Sequence, residues 1–288
     1  MNMHIKAFYD EATFTLTYVV SDQDNGDAIV IDPVLDYEPT GSKIKDVSYQ
    51  QVKSYIQQQN LNLRMVLETH AHADHLTASQ LFKQDFPGVK TAIGKHITTV
   101  QNVFKDIYGL DNHFSTDGSQ FDVLIDDDQT IEAGSIHIRA IYTPGHTPAC
   151  LSYLIEDAVF TGDTLFMPDY GTGRCDFPGG DAVKMYGSIQ KLYQLPDATR
   201  VFTGHDYRPN GRVLKYESTI GEQKRHNIQL NAQTTTEQYV AFRLDRDSTL
   251  AAPKLIYQSL LVNIEAGRLP ARQGNGRRYL KIPLNIEY

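Results

Sequence analysis

Short apolar runs alternate along the chain with polar breaks bearing glycine, proline or aspartate, and the period of each run separates strands from helices. Residues 12–22 (ATFTLTYVVSD) and 28–32 (AIVID) are dense in β-branched and aromatic side chains and flank Gln23-Asp24-Asn25-Gly26. This predicts an antiparallel hairpin, which Pro33 ends. Val52, Tyr55 and Ile56 stand at helical spacing and predict a helix over 49–61, followed by a buried strand at 63–68. Leu81, Phe82 and Phe86 predict a helix across 77–86, with a short strand at 91–93 and a further helix over 97–108. Short strands are expected at 121–125 and 129–133, around Asp126-Asp127-Asp128, which reads as a solvated acidic turn. Strands at 137–142, 150–155 and 158–161 precede a helix over 182–195, and a last short strand is expected at 200–203.

From Glu217 the pattern changes to helices, at 217–230, 236–243 and 253–266, and then to an irregular Gly/Arg-rich stretch. Strands interleaved with helices, with no internal repeat, predict an α/β fold of two packed sheets with helices outside. Residues 1–216 are assigned to the main domain and 217–288 to an extension packed on its core.

At 288 residues with 41% hydrophobic and 22% charged content, the chain has ample material for a buried core. A formal net charge of −8 argues against a nucleic-acid footprint, which needs a basic face, and leaves room for a local basic pocket for an anionic small molecule. No apolar stretch reaches the length of a membrane span, and the N-terminus lacks the pattern of a secretory signal. Two cysteines, Cys150 and Cys175, make no disulfide framework. A reduced, cytoplasmic protein is therefore expected, and the expected assembly is a homodimer.

The chemistry gathers where apolar strands stop. Met65-Val66-Leu67 runs into Thr69-His70-Ala71-His72-Ala73-Asp74-His75, three imidazoles and a carboxylate within six residues. Three further strand ends carry the same residue types: Thr143-Pro144-Gly145-His146, Gly162-Asp163-Thr164 and Gly204-His205-Asp206-Tyr207. One such loop means little, since a lone histidine is more often structural and an aspartate often caps a turn. Four of them imply convergence on a metal. A cysteine-rich closed site is excluded by composition, and a His/Asp site suits iron, zinc or manganese. Two histidines and one carboxylate with open positions would form the facial triad of non-haem Fe(II) oxygen chemistry. His4, His96, His113, His137 and His226 lack such neighbourhoods. No nucleophile elbow or phosphate-cradling glycine loop competes. Cys175 beside Arg174 reads as an inert loop cysteine.

These residues resemble the metallo-β-lactamase superfamily, whose T-H-x-H-x-D-H, lone His, G-D-T and G-H pattern is met in order at 69–75, 146, 162–164 and 204–205. Within it the chain is similar to the persulfide (sulfur) dioxygenases. The likeness rests on Thr143-Pro144-Gly145-His146-Thr147-Pro148-Ala149-Cys150, Gly162-Asp163-Thr164-Leu165-Phe166 and Gly173-Arg174-Cys175-Asp176-Phe177, and continues through 221–227 to Leu280-Lys281-Ile282-Pro283. The resemblance implies an αβ/βα four-layer sandwich with a helical C-terminal extension. It implies one Fe(II) per chain, held by His70, His146 and Asp163 as the catalytic centre. His72, Asp74, His75 and His205 match second-metal positions of hydrolytic relatives; the resemblance, not the residues, implies that these hold no second metal.

The implied reaction oxidises glutathione persulfide with O2 and water to sulfite and glutathione. Arg174 and Tyr207, in loops beside ligands, are the residues expected to hold the substrate, although Arg174 could equally brace its loop through Asp176. No fused sulfur-transfer module is expected. The alternatives are a glyoxalase II-like thioester hydrolase with two metals and a non-catalytic sulfide- or metal-responsive binding protein.

Overall fold

The structure, a computed structural model, describes residues 1–286. Two six-stranded sheets lie face to face. The first takes its strands in chain order: β1 (Met3–Asp10), β2 (Thr15–Asp22), β3 (Asp27–Ile31), β4 (Asn62–Leu67), β5 (Lys90–Gly94) and β6 (Val123–Ile125). β1, β2 and β3 pair antiparallel, and β3 to β6 pair parallel. The second sheet follows, again in chain order: β7 (Thr130–Ala133), β8 (Ile136–Tyr142), β9 (Leu151–Ile155), β10 (Ala158–Phe160), β11 (Arg200–Phe202) and β12 (Glu217–Thr219). Only β10 and β11 pair parallel within it.

Period-two alternation places the core. Leu16, Tyr18 and Val20 of β2 and Ile29 and Ile31 of β3 share one buried cluster with Ile136, Ile138, Leu151, Tyr153, Ile155, Phe160 and Phe202 of the second sheet. The intervening side chains Val19, Ala28 and Val30 face outward against α1 (Val47–Gln58) and α2 (Ser79–Asp85), through Val52, Ile56 and Phe82. Both faces of the sheet are covered, so all eight residues of β2 are buried. A register shift sets Ala28 opposite Leu63 and Ile29 opposite Met65, which turns Met65 and Leu67 into the inter-sheet core just before the histidine-rich loop. The outer face of the second sheet, with Val159 and Val201, packs on Met185, Ile189 and Leu192 of α4 (Ala182–Leu192). This is the expected helix–sheet–sheet–helix sandwich.

The predicted elements recur with ends shifted by a few residues, and two differ in kind. Residues 3–10, given no element from the sequence, form β1. Arg200–Phe202 is not the last strand: Glu217–Thr219 pairs with it as an edge strand, so the segment assigned to the extension begins inside the second sheet. The helix expected from 217 instead starts at Ile220, as α5 (Ile220–His226). A Thr219/Glu222 capping box, with Thr219 accepting from the Glu222 N–H and Glu222 from the Thr219 N–H, fixes that start. α6 (Thr236–Ser248) and α7 (Ile256–Asn263) complete the described helices together with α3 (Ile97–Tyr108). Leu260 and Ile264 belong to the same buried cluster as Phe104 of α3 and Ala71 and Ala73 of the histidine-rich loop. No helix among the described residues is long and apolar enough to cross a membrane.

Candidate metal centre

β4 of the first sheet and β8, β10 and β11 of the second end at one edge, and the four loops that follow them converge there. Within this edge His70, His146 and Asp163 present ligand atoms within 4.8 Å of one another. Asp163 Oδ2 lies 3.9 Å from His70 Nε2 and 3.6 Å from His146 Nε2, while Oδ1 lies 3.3 Å from His205 Nε2. Tight backbone approach makes this closeness possible. Gly162 has φ +49°, and a Cβ on it would stand 2.5 Å from Thr69 Oγ1.

Each histidine of this group is oriented from behind. His146 Nδ1–H donates to the Arg174 carbonyl at 2.8 Å, leaving the Nε2 lone pair for a ligand. Thr69 donates its hydroxyl to Asp32 Oδ2 at 2.8 Å and accepts from His70 Nδ1 at 3.0 Å, so His70 too presents a bare Nε2. Asp32 also accepts the Thr69 N–H at 2.7 Å. Burial holds the His70 pKa well below the usual imidazole range, which keeps the ring neutral, the form that binds metal.

A donor set fits a metal when its buried atoms lack protein partners, and these do. His70 Nε2, His75 Nε2 and Asp163 Oδ1 are all buried without a hydrogen bond. A buried polar atom left so costs about 1–3 kcal/mol; a cation among His70, His146 and Asp163 would take up His70 Nε2 and the Asp163 carboxylate, whereas His75 belongs to a neighbouring group.

The remaining expected ligands form a neighbouring group. His72, Asp74 and His75 also bring ligand atoms within 4.8 Å of one another. Asp74 Oδ2 lies 3.2 Å from His75 Nδ1 and 3.5 Å from His205 Nε2, so His205 stands between the carboxylates of both groups. Burial would lower the His205 pKa, but Asp163 and Asp74 raise it overall. Burial would raise that of Asp74, and His205 and His75 hold it well down.

His72 has other neighbours as well. Its Nε2 lies 3.0 Å from Asp32 Oδ1 and 3.5 Å from Glu68 Oε2, and despite burial these carboxylates push its pKa well up. Asp32 and Glu68 escaped the sequence reading. Asp32, an acid at the end of an apolar strand, met the criterion that singled out Asp163.

A cleft of about 700 Å³ opens over His146, Asp163 and Asp74. Tyr207 lines it, its ring stacked on His205 (centroids 5.5 Å apart) and on Tyr170 (4.6 Å), and its hydroxyl has no hydrogen-bond partner among the described residues. Arg174 also lines the cleft, but its guanidinium is engaged. Nε and Nη2 each donate to Asp176 at 2.5 Å, and Nη1 donates to the Ala251 carbonyl at 2.8 Å. The geometry is that of the loop brace weighed from the sequence. Cys150 and Cys175 are buried, and burial pushes the Cys150 thiol up to about 12 and raises that of Cys175 as well.

Comparison with known proteins gives the family. Residues 11–205 match the family described as the metallo-beta-lactamase superfamily. The chain is 46% identical over 293 residues to a probable metallo-hydrolase of Burkholderia pseudomallei, covering 98% of this chain and 99% of that one. It is 43% identical over 282 residues to glyoxylase B2 of Dictyostelium discoideum, covering 98% and 97%. Against a beta-lactamase hydrolase-like protein of Agrobacterium fabrum, 46% identical over 283 residues, 98% of this chain spans 65% of the relative. The human mitochondrial persulfide dioxygenase ETHE1 is more distant, 27% identical over 266 residues, with 91% and 88% covered. Among solved structures, ETHE1 from Myxococcus xanthus superposes with a TM-score of 0.74 at 28% identity, over 92% of this chain and all of that one. The chain, with the fold and the histidine- and aspartate-lined edge that go with it, belongs to the metallo-β-lactamase superfamily, a superfamily that binds metal ions.

Proposed function

We propose that this protein is a persulfide dioxygenase that oxidises glutathione persulfide with O2 and water to sulfite and glutathione at a single non-haem Fe(II). The observation that carries the reading is the group of two imidazoles and one carboxylate, His70, His146 and Asp163, of which His146 and Asp163 line an open cleft. Such a triad leaves coordination positions free for two small reactants side by side. Iron, when bound, supplies the O2-activating redox chemistry. The likeness to ETHE1 in sequence and fold supports the same choice.

The chain's own residues hold and enclose the substrate. Phe14, Phe166, Tyr170 and Tyr207 line the cleft beside the triad and give an apolar wall for the persulfide stem. The Tyr207 hydroxyl is free to donate to a bound anion. Glutathione's carboxylates need unneutralised cations, and the ion pairs decide which are available. Arg174 is bound to Asp176, and Arg243 to Asp247. Arg246 and Lys254, also on the cleft, have no ion-pair partner among the described residues. The carboxylates are therefore assigned to Arg246 and Lys254, with Tyr207 nearer the metal. Arg174 shapes that wall rather than carrying free charge.

One observation favours a second reading, a glyoxalase II-like hydrolase with two metals. The group of His72, Asp74, His75 and His205 is complete, and two relatives bear the names metallo-hydrolase and glyoxylase. Against it, two buried carboxylates compete for His72. Metal analysis of anaerobically purified protein, followed by oxygen uptake with glutathione persulfide, separates the readings. About one iron per chain with sulfite formed supports the dioxygenase. Two metals per chain, no oxygen uptake and cleavage of a glutathione thioester would establish the hydrolase instead. Metal bound with neither activity would leave the binding protein.

A further inference from the structure

The sequence leads to the expectation that 217–288 is an extension packed on the core. Two sets of contacts tie it to the loops of the metal centre. At the C-terminal end of α7, the buried side chain of Asn263 spans the histidine-rich loop. Its Nδ2 donates to the carbonyls of both His72 and His75 at 2.8 Å, and its Oδ1 accepts the Thr77 N–H at 2.9 Å. Both donors of the Asn263 amide and one acceptor position are thus spent on backbone 186–191 residues away in sequence.

On the other side, α6 holds the loop behind His146. Asp247 Oδ2 accepts the Cys175 N–H at 2.8 Å, and its Oδ1 binds Arg243 Nη2 at 2.6 Å. Arg243 Nη1 reaches the Gly173 carbonyl at 3.3 Å. Between Gly173 and Cys175 stands Arg174, whose carbonyl fixes the tautomer and direction of His146.

We infer that Asn263 and the buried Arg243–Asp247 pair are positioning residues of the metal centre. The C-terminal helices clamp the two loops that carry its ligands and thereby set its affinity and geometry. Neither clamp touches a metal; each acts on the backbone that aims the ligands. The inference rests on the metal-site reading and not on the choice between oxygenase and hydrolase.

The physical consequence is reciprocal. If opening of α6 or α7 releases a ligand loop, metal binding must oppose that opening by the same free energy. The test uses the full-length chain and Co(II), whose visible absorption reports the ligand geometry. In the parent protein, Co(II) is expected to slow hydrogen exchange not only across 70–77 and 172–176 but also across 239–249 and 256–267. Asn263→Asp keeps the acceptor for Thr77 and loses both donors to the loop. Asp247→Asn weakens the hold on Arg243.

Each variant is expected to lower Co(II) affinity about tenfold or more, the usual effect of removing a partner that orients ligands, and to change the visible spectrum. Gln101→Leu is the structural control. Gln101, on α3, donates to Gln120 Oε1 at 2.7 Å and to the Ile264 carbonyl just beyond α7 at 3.0 Å and accepts the Gly118 N–H at 2.9 Å, so its loss lowers stability mainly through the 115–120 segment and leaves the Asn263 clamp in place. It should lower thermal stability and leave Co(II) affinity and spectrum unchanged. Protection confined to the ligand loops overturns the inference. So do variants that bind Co(II) with parental affinity and spectrum, or a Gln101→Leu protein that loses affinity as they do. If a variant does not fold, the exchange experiment on the parent decides alone.

Discussion

Replacing Thr69 with valine tests how much of the metal affinity is made by residues that never touch the metal. The side chains are nearly equal in volume, and Thr69 is 1% exposed, so the change removes a hydroxyl and opens no cavity. Two contacts disappear: the 2.8 Å donation to Asp32 and the 3.0 Å bond that orients His70 Nδ1. A hydrogen bond to a charged group contributes about 1.5–3 kcal/mol. Asp32 keeps the Thr69 N–H at 2.7 Å, which places the loss of that bond at the lower end, about 1.5–2 kcal/mol, and the buried His70 N–H left without its acceptor adds about 1–3 kcal/mol.

That is a fraction of a typical total of about 5–15 kcal/mol, so the variant folds. Without its partner His70 loses tautomer and ring direction, and metal affinity should fall roughly 10- to 100-fold. Urea denaturation of the metal-free protein gives the first quantity, and competition between the protein and a chelating dye for Co(II) gives the second. Thr69→Ser should recover most of both. A folded valine variant that binds Co(II) within about twofold of the parent would refute the orientation argument, since that argument requires a loss of tenfold or more.

Other outcomes follow from the same geometry. Asp163→Ala should purify folded but without bound metal and without oxygen uptake on glutathione persulfide; retained activity would sink the ligand assignment. Arg246→Ala with Lys254→Ala should raise KM for glutathione persulfide severalfold with kcat little changed, and an unchanged KM would remove them from the substrate's path. Cys150, its pKa raised to about 12, has a thiolate fraction of only ~10⁻⁴ at pH 8, so it should resist a thiol reagent until the protein unfolds. By linkage, its folded pKa lies above the unfolded value, so its contribution is complete below about pH 8.5 and is lost as pH rises toward 12, at about 1.4 kcal/mol per pH unit. Thiol labelling and urea unfolding between pH 8 and 11 would check both, and rapid labelling of the native chain would contradict the burial. Phe160→Ala, in the inter-sheet core against Tyr18 and Phe202 at 5.2 and 5.1 Å, should cost about 3–5 kcal/mol in denaturation. A loss below about 1 kcal/mol would mean that this interior is not packed as described.

Local pattern carried much of the fold. The hairpin at 15–31 was legible because β-branched residues alternate around a turn sequence, and the strand before His70 because its apolar run is bounded by polar residues. β1 was missed although Ile5, Ala7 and Tyr9 alternate toward the core, because no turn residue marks its start. At 217–226 a three-residue strand and the first turn of a helix share one stretch, and only the Thr219/Glu222 cap separates them. Of the site, the four loops were readable because each places His or Asp directly after an apolar strand. Asp32 was missed although it too follows an apolar strand, and Glu68 because its part comes only from the imidazole it faces.

The sequence by itself determined most of the strands and helices, the four loops that carry His and Asp to the sheet edge, and that His and Asp rather than Cys supply any ligands. These are properties of neighbours within a few residues, where steric preference and hydrophobic period act directly. The tertiary structure alone decided the rest. It joined Asp163 to imidazoles 93 and 17 residues earlier, set the bare nitrogens of His70 and His146 toward it, bound Arg174 to Asp176 while leaving Arg246 and Lys254 without an ion-pair partner among the described residues, and brought Asn263 onto the loop of His72 and His75. Such facts rest on contacts between residues far apart in the chain, and they come into being only when the two sheets close on their common core.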